Sequence, residues 1–230
     1  MSDLTNVICG RGHAFATILA ATVALAGAVG PVKREVTSPD AGMVPQPAAE
    51  SSPMAELRRS DADLRLVLGR RIPGRSPEYE AQQIEIHRLT AGLLDFEEFS
   101  GRALAPHWSR LTPAQKNRFV SLLRTLIEKS YVPQINGDPR FRVTFEREEK
   151  TGTSARVFGV VTYEGRGIPT SYKVEYRLLY KGDHWAVYDI VTDGESLLEN
   201  YRAQFDRVIR KQSFDGLLET MRRRAQCCGD

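Results

Sequence analysis

Three side chains in the last quarter of the chain have the types required for acid–base chemistry. His184 opens the stretch HWAVYDIVTD, Asp189 lies inside it and Asp193 ends it. An imidazole and two carboxylates could move protons to and from a substrate only if the fold placed them within hydrogen-bond reach of it. Simpler roles are available, because Asp193 precedes Gly194 and suits a turn, and His184 follows a turn sequence and is expected to be solvated.

Four basic residues form a second candidate set, namely Arg202, Arg207, Arg210 and Lys211. They could contact a phosphate or a partner protein, but a solvated helix face explains most of them. Residues 194–218 around them contain no nucleophile–base pair, metal cluster or phosphate loop. We therefore predict neither catalytic residues nor a metal site.

The segment that carries these basic residues is predicted to be a helix that begins at Ser196. Ser196 and Glu199 stand three residues apart, the spacing of a capping box in which each side chain accepts a hydrogen bond from the other's backbone N–H. Apolar side chains then recur at helical intervals and define one face: Leu197, Leu198, Tyr201, Phe205, Val208 and Ile209. An apolar helix directly after a strand favours a sheet with a helical cover.

Helix signals dominate the chain before residue 136. Residues 55–69 and 113–131 carry apolar side chains at spacings of three and four. We expect Pro133 and Gly137 to end the second of these helices. Three helix starts are predicted from a polar capping residue. Proline follows it directly at Ser76-Pro77 and Thr112-Pro113, and an acidic or amide residue lies three positions later in Asp95 with Glu98 and Thr112 with Gln115.

From residue 141 the apolar period changes from helical spacing to two. Alternation is clear in 141–146 and 172–178, residues 155–163 are apolar on both faces, and a turn at 181–183 leads into 184–193. Four consecutive strands joined by short connections predict an antiparallel meander. Helices, then a sheet, then one closing helix make the fold α+β.

The N-terminus has the layout of an exported protein. Arg11 precedes an apolar run over 14–29 that contains the small triplet Ala26-Gly27-Ala28. This pattern predicts a signal peptide over residues 1–28 that is cleaved after Ala28, and the run is short for a membrane anchor. Residues 29–53 are rich in Pro, Ser and Ala and predict a flexible linker. The folded domain is expected over 54–224, followed by a tail over 225–230.

Composition limits the classes of partner. Hydrophobic residues make up 41% and charged residues 27% of the 230, and the net charge is +3, which suits a globular protein and is too mild to indicate nucleic-acid binding. Export would remove Cys9 and leave the adjacent Cys227 and Cys228. A bond between adjacent cysteines is strained, so these two are expected to be free or to pair between chains.

With these segments placed, the chain resembles the MlaC / toluene-tolerance family of periplasmic phospholipid-binding proteins. The matching pieces are VEYRLLYKGDHWAVYDI, GESLLENYRAQFDRVIRK and FDGLL. A looser match is LLDFEEFSGRALAPHWSRLTPAQKNRF in the helical half. The long linker and the terminal cysteine pair depart from the family pattern and concern partner docking more than fold.

The resemblance implies a cone-shaped fold similar to nuclear transport factor, with a curved antiparallel sheet of about four strands wrapped by helices around an apolar cavity. It further implies a phospholipid cargo and no other cofactor. The implied partners are an MCE-domain subunit of an inner-membrane ABC transporter and an outer-membrane lipoprotein complex, and the implied role is lipid shuttling across the periplasm to maintain outer-membrane lipid asymmetry.

Under this interpretation the apolar faces line a lipid cavity, although for any single residue plain core packing is the favoured explanation. Two alternatives stay open: a small-molecule isomerase or hydrolase on the same fold, and an interaction module with a solid core. The predicted lipid-binding residues are Phe119, Leu122, Leu123, Leu126, Tyr131, Val143, Phe145, Val157, Val174, Tyr176, Leu178, Leu197, Tyr201 and Phe205.

Overall fold

The computed structural model describes residues 52–70, 72, 74, 76–135, 141–164 and 168–227. Within these residues six helices and five strands are defined. The helices are α1 (Pro53–Leu68), α2 (Pro77–Ala91), α3 (Phe96–Ala103), α4 (Ala105–Trp108), α5 (Pro113–Ile135) and α6 (Leu197–Cys227), and the strands are β1 (Phe141–Thr151), β2 (Ser154–Tyr163), β3 (Thr170–Tyr180), β4 (Trp185–Thr192) and β5 (Glu195–Ser196).

The strands form one antiparallel sheet in the order β1-β2-β3-β4-β5. This confirms the predicted α+β fold with an antiparallel meander. The fifth strand has two residues, Glu195 and Ser196, which is too short for an alternating pattern to reveal. It is joined to β4 by Asp193 and Gly194, whose φ angles of 49° and 89° suit the tight turns that connect antiparallel strands.

Two register shifts interrupt the sheet, one in β1 between Phe145 and Arg147 and one opposite the Arg177–Leu178 step of β3. Such bulges increase local twist and bend a sheet. The first lies beside Gly159 on β2, where an added Cβ atom would lie 2.5 Å from the carbonyl oxygen of Thr144. Only glycine allows β1 and β2 to approach this closely at the bulge.

The predicted helix starts are confirmed by their capping bonds. Asp95 accepts from Glu98 N at 2.9 Å, and Ser76 accepts from Tyr79 N at 3.2 Å. The capping box at the start of α5 is complete: Thr112 Oγ1 accepts from Gln115 N at 3.3 Å, and Gln115 Oε1 accepts from Thr112 N at 2.9 Å.

Pro133 does not end α5, contrary to expectation, because the helix continues to Ile135. Proline removes one backbone donor, and this loss is small in the last turn, where few helical bonds remain to be made. Gly137, the second predicted terminator, lies outside the described residues.

Helix α6 is interrupted at Ser213, whose φ of 70° and ψ of 173° are not helical. The Ser213 hydroxyl accepts from Gly216 N at 3.4 Å and so caps the second half of the helix. That second half runs to Cys227, so residues 225–227 of the predicted tail are helical, and Ala225 is buried.

The helices cover the sheet in two separate places. α1 packs on β1 and β2, whereas α3 and α6 pack on β4, and α5 packs against α2, α3 and α6. The inner face of β3 therefore lies between the two areas that helix backbones cover. The candidate site lies on this inner face of β3, between the area covered by α1 and the area covered by α3 and α6.

The predicted signal peptide over 1–28 and most of the linker over 29–53 lie outside the described residues. The end of that linker belongs to the fold, because Ser52 caps α1 by accepting from Ala55 N at 3.1 Å. No helix in the described part of the chain is long and apolar enough to cross a membrane.

Candidate functional site

The residues predicted to bind lipid lie together in one apolar cluster on the inner side of the sheet. Tyr131 belongs to α5, but its side chain is outside what the structure describes. Leu122 and Val143 are half-buried and pack against the cluster. The others are buried within it: Phe119, Leu123, Leu126, Phe145, Val157, Val174, Tyr176, Leu178, Leu197, Tyr201 and Phe205.

A chain of aromatic rings ties the helical wall of this cluster together. The Phe119 and Phe205 ring centroids are 5.2 Å apart at 85°, and those of Tyr201 and Phe205 are 5.3 Å apart. Edge-to-face contacts of this kind stabilise a pair beyond its buried area. Phe99 of α3 extends the chain, with its centroid 5.7 Å from that of Tyr201.

The sequence-based list of lining residues omits Phe99, although its side chain is fully buried. The signal was present in the spacing of Phe96, Phe99 and Ala103, which places all three on one face of α3. An eight-residue helix gives too few turns for that period to stand out. Ile86 and Leu89 of α2 are buried in the same cluster and were also not included.

The sheet wall of the cluster is centred on β3. Val174, Tyr176 and Leu178 are 2%, 0% and 0% exposed, as the alternation of this strand predicts. Because helix backbones approach β1, β2 and β4 more closely than β3, side chains cover this strip.

One polar atom lies on this strip. The Tyr176 hydroxyl is fully buried and has no hydrogen-bond partner among the described residues. Burial, with a smaller contribution from the charge of Asp61, raises the pKa of Tyr176 far above its usual range. The phenol is therefore protonated at neutral pH and can donate one hydrogen bond.

The acid–base candidates serve the fold. Asp189 is fully buried and accepts from Leu198 N at 3.0 Å and from Ser196 Oγ at 2.7 Å, while Arg177 Nη1 donates to it at 3.1 Å. Burial raises the pKa of Asp189, against the opposing effect of these three donors. All its close partners belong to the strands and the start of α6.

The other two candidates lie in different surroundings. Asp193 Oδ1 accepts from Lys173 N at 2.9 Å and so joins the turn after β4 to strand β3. His184 is half-buried and pairs with the neighbouring, exposed Asp183. Since each of the candidates is engaged with separate partners, the structure does not bring them together as an acid–base set.

The basic face of α6 is largely engaged with the protein itself. Arg202 Nε donates to the carbonyl oxygen of Arg102 at 3.1 Å and so joins α6 to the end of α3. Its Nη1 atom lies 2.9 Å from a carboxylate oxygen of Glu199. Glu199 thus binds Arg202, and the observed half of the predicted capping box is the bond from Glu199 N to Ser196 Oγ.

A separate open cleft of about 890 Å³ lies on the outer side of α3. Lys181 lines this cleft, and its ammonium group lies 2.7 Å from Asp95 and 3.4 Å from Glu98. The hydrogen bond to Asp95 raises the pKa of Lys181. None of the predicted lipid-binding residues borders this cleft. Charged side chains such as Glu97, Arg102 and Lys181 share its lining with the apolar Leu94, Phe96 and Trp108.

No group of three or more His, Cys, Asp or Glu side chains in the described ranges is arranged to hold a metal ion. The cluster offers apolar side chains together with the phenol groups of Tyr176 and Tyr201. Its chemistry suits the burial of hydrocarbon and one hydrogen bond to a polar acceptor.

Comparison with models of known families shows to which family the chain belongs. A family model described as MlaC protein matches residues 66–223, more than half of the chain. The chain belongs to the MlaC family. Every residue predicted to bind lipid falls inside the MlaC match, while most of α1 precedes it.

Two proteins similar to this member of the MlaC family illustrate the relationship. The intermembrane phospholipid transport system binding protein MlaC of Haemophilus influenzae is 24% identical over 131 residues, which are 56% of this chain and 61% of that protein. The alignment thus spans somewhat less than two thirds of the relative's length.

A solved structure shares the MlaC fold. The phospholipid-binding protein from Ralstonia solanacearum, determined in complex with a phospholipid, superimposes with a TM-score of 0.65 at 21% identity. The match covers 78% of this chain and all of that one. At this identity the comparison establishes a common fold.

Proposed function

We propose that this protein is a periplasmic carrier of glycerophospholipid and has no enzymatic activity. The observation that carries the proposal is the apolar inner face of β3, where Val174, Tyr176 and Leu178 are buried. This face lies between the area of the sheet covered by α1 and the area covered by α3 and α6. Membership of the MlaC family and the phospholipid bound by a protein of the same fold support it. Acyl chains would enter between this strip and the aromatic wall formed by α5 and α6.

The energetics favour transfer at docked partners over release into water. Burial of hydrocarbon contributes about 0.8 kcal/mol per methylene, so two acyl chains contribute on the order of 20 kcal/mol, near the practical ceiling of noncovalent affinity. A bilayer buries the same methylenes. Exchange between protein and membrane is therefore close to balanced, whereas escape into water is very slow.

The partners we propose follow from this balance. A carrier whose cargo cannot leave through water must receive and deliver it by direct contact. An outer-membrane lipoprotein complex and an MCE-domain subunit of an inner-membrane ABC transporter are the proposed donor and acceptor systems, and the predicted signal peptide places the carrier between them. The proposed consequence is maintenance of outer-membrane lipid asymmetry.

The structure disfavours the enzyme alternative. An isomerase or hydrolase on this fold would need an acid–base group that faces the interior, and Asp189 instead is held by Arg177, Ser196 and the backbone of Leu198. Burial raises the pKa of Tyr176, so its phenol stays protonated at neutral pH and cannot accept a proton as a general base.

Native mass spectrometry of the purified mature protein, followed by lipid extraction, tests the proposal. We expect a mass excess that corresponds to one or more phospholipids and that disappears on denaturation. A protein that is lipid-free as purified and takes up no phospholipid from vesicles would refute the carrier function and favour an interaction module with a solid core.

A further inference from the structure

Tyr176 is the exception in an otherwise apolar strip. Its neighbours on the inner face of β3 are Val174 and Leu178, and its ring lies 6.0 Å from that of Phe145 on β1. The hydroxyl is fully buried and has no partner among the described residues. A buried donor that makes no hydrogen bond is destabilising, so phenylalanine would serve a solid core better.

The surroundings of the hydroxyl restrict which ligand atom it could bind. Asp61 of α1 is the charged group whose field reaches Tyr176, and its carboxylate is already paired with Arg65 at 2.7 Å. Full burial also disfavours a charged ligand atom at this position. The hydroxyl is therefore suited to an uncharged acceptor in an apolar setting.

A glycerophospholipid offers two acceptors of this kind, the carbonyl oxygens of its acyl esters. The phosphate is charged and belongs near water, and the hydrocarbon tails have no acceptor at all. The ester linkage lies between these two parts of the molecule, so it enters the protein together with the chains.

We propose that the Tyr176 hydroxyl donates a hydrogen bond to an acyl-ester carbonyl oxygen of the bound lipid and so makes the carrier selective for ester-linked over ether-linked phospholipids. This inference rests on the proposed carrier function and goes beyond it, because it assigns one residue a role in choosing the cargo. In the lipid-free protein the hydroxyl stays unpaired, and the cargo satisfies it.

The test is a competition in which linkage is the only variable. Lipid-free protein is incubated with vesicles that contain equal amounts of diester and diether phosphatidylglycerol with the same chain length, and the bound ratio is read by native mass spectrometry. One neutral hydrogen bond in a buried site corresponds to roughly a fivefold preference. We expect the wild type to favour the diester by about this factor and Tyr176→Phe to bind both lipids equally.

Tyr180→Phe is the matched control. It lies on the same strand, its ring packs 5.2 Å from that of Trp185, and it is half-buried. This variant should retain the wild-type preference. The lipid-free Tyr176→Phe protein should melt at or above the wild-type temperature, because no protein hydrogen bond is lost.

The outcomes separate this inference from the carrier function. If both lipids bind to the wild type without preference, or if Tyr176→Phe keeps the full preference, the assigned contact is wrong while the carrier function stands. A large drop in the melting temperature of lipid-free Tyr176→Phe would mean that the hydroxyl serves the protein, and would also overturn it. If neither lipid binds, both proposals fail.

Discussion

The carboxylate of Asp189 accepts a 2.7 Å hydrogen bond from the hydroxyl of Ser196, and the same hydroxyl accepts from Glu199 N at the start of α6. The cap of the helix is thus held by a buried group of the sheet. Asp189 also accepts from Leu198 N, so its negative charge lies at the positive end of the helix. This arrangement sets the position of the helix that carries Tyr201 and Phe205.

The first prediction concerns this contact. Asp189→Asn replaces one carboxylate oxygen by an NH2 group, and the remaining oxygen cannot accept from all three donors. The substitution also removes the buried negative charge that pairs with Arg177. We expect the free energy of unfolding to fall by about 3 kcal/mol, as measured by urea denaturation.

Asp193→Asn is the control for Asp189→Asn. Its side chain can still accept from Lys173 N, and asparagine tolerates the left-handed conformation at φ 49°. We expect a change below about 0.5 kcal/mol. Equal losses in the two variants would show that the Asp189 contact does not anchor the helix.

The second prediction concerns the interruption of α6 at Ser213. Its φ of 70° and ψ of 173° belong to a region that only glycine adopts without strain. Ser213→Gly should therefore be more stable than Ser213→Ala by about 1 kcal/mol in chemical denaturation. Both variants lose the weak cap to Gly216, so the cap cancels in the comparison.

Ser121 provides the matched reference, because it is exposed in the regular part of α5. There alanine should be the more stable residue, by about 1 kcal/mol over glycine. If glycine and alanine rank in the same order at both serines, the backbone at Ser213 is helical in solution and the interruption is absent.

The third prediction concerns the close approach of β1 and β2. Gly159→Ala places a methyl group 2.5 Å from the carbonyl oxygen of Thr144, and this backbone atom cannot move without breaking the strand pairing at the bulge. We expect a loss of about 1–3 kcal/mol and a drop of several degrees in melting temperature.

Gly74→Ala serves as the comparison for Gly159→Ala, because an added Cβ atom there meets no atom of the described residues within 4 Å. Its melting temperature should stay within about one degree of the wild type. If Gly159→Ala were equally harmless, the two strands would have to lie further apart than the structure shows.

The fourth prediction concerns the lipid itself. Val174→Asp puts a charge on the inner strip of β3, where burying it beside hydrocarbon is very costly, and it should greatly reduce the amount of co-purified phospholipid. Lys173→Asp changes the exposed neighbouring residue and should leave that amount unchanged. Lipid is quantified after extraction from protein whose folding has been checked by circular dichroism.

Equal lipid yields from the two variants would place the acyl chains away from β3. Leu178→Asp, on the same inner strip, gives an independent check of the same face. A folded Leu178→Asp protein that retains full lipid would argue against the strip in the same way.

Local patterns allowed much of this fold to be predicted. Helix starts could be recognised because capping bonds join residues three apart in the chain, as between Thr112 and Gln115. The inner face of β3 could be assigned because side chains alternate along any strand. The dense motif from Tyr172 to Leu218 indicated the MlaC family, to which the chain belongs.

The features that could not be predicted from the sequence depend on contacts between residues that are distant along the chain. The role of Asp189 follows from Arg177 on the neighbouring strand, the need for Gly159 follows from the backbone of Thr144, and no local pattern announces the break at Ser213. That the Tyr176 hydroxyl has no hydrogen-bond partner among the described residues likewise follows only from the tertiary structure. In sequence it is one more aromatic residue of an alternating strand, and only the packing of the whole interior decides whether a partner is within reach.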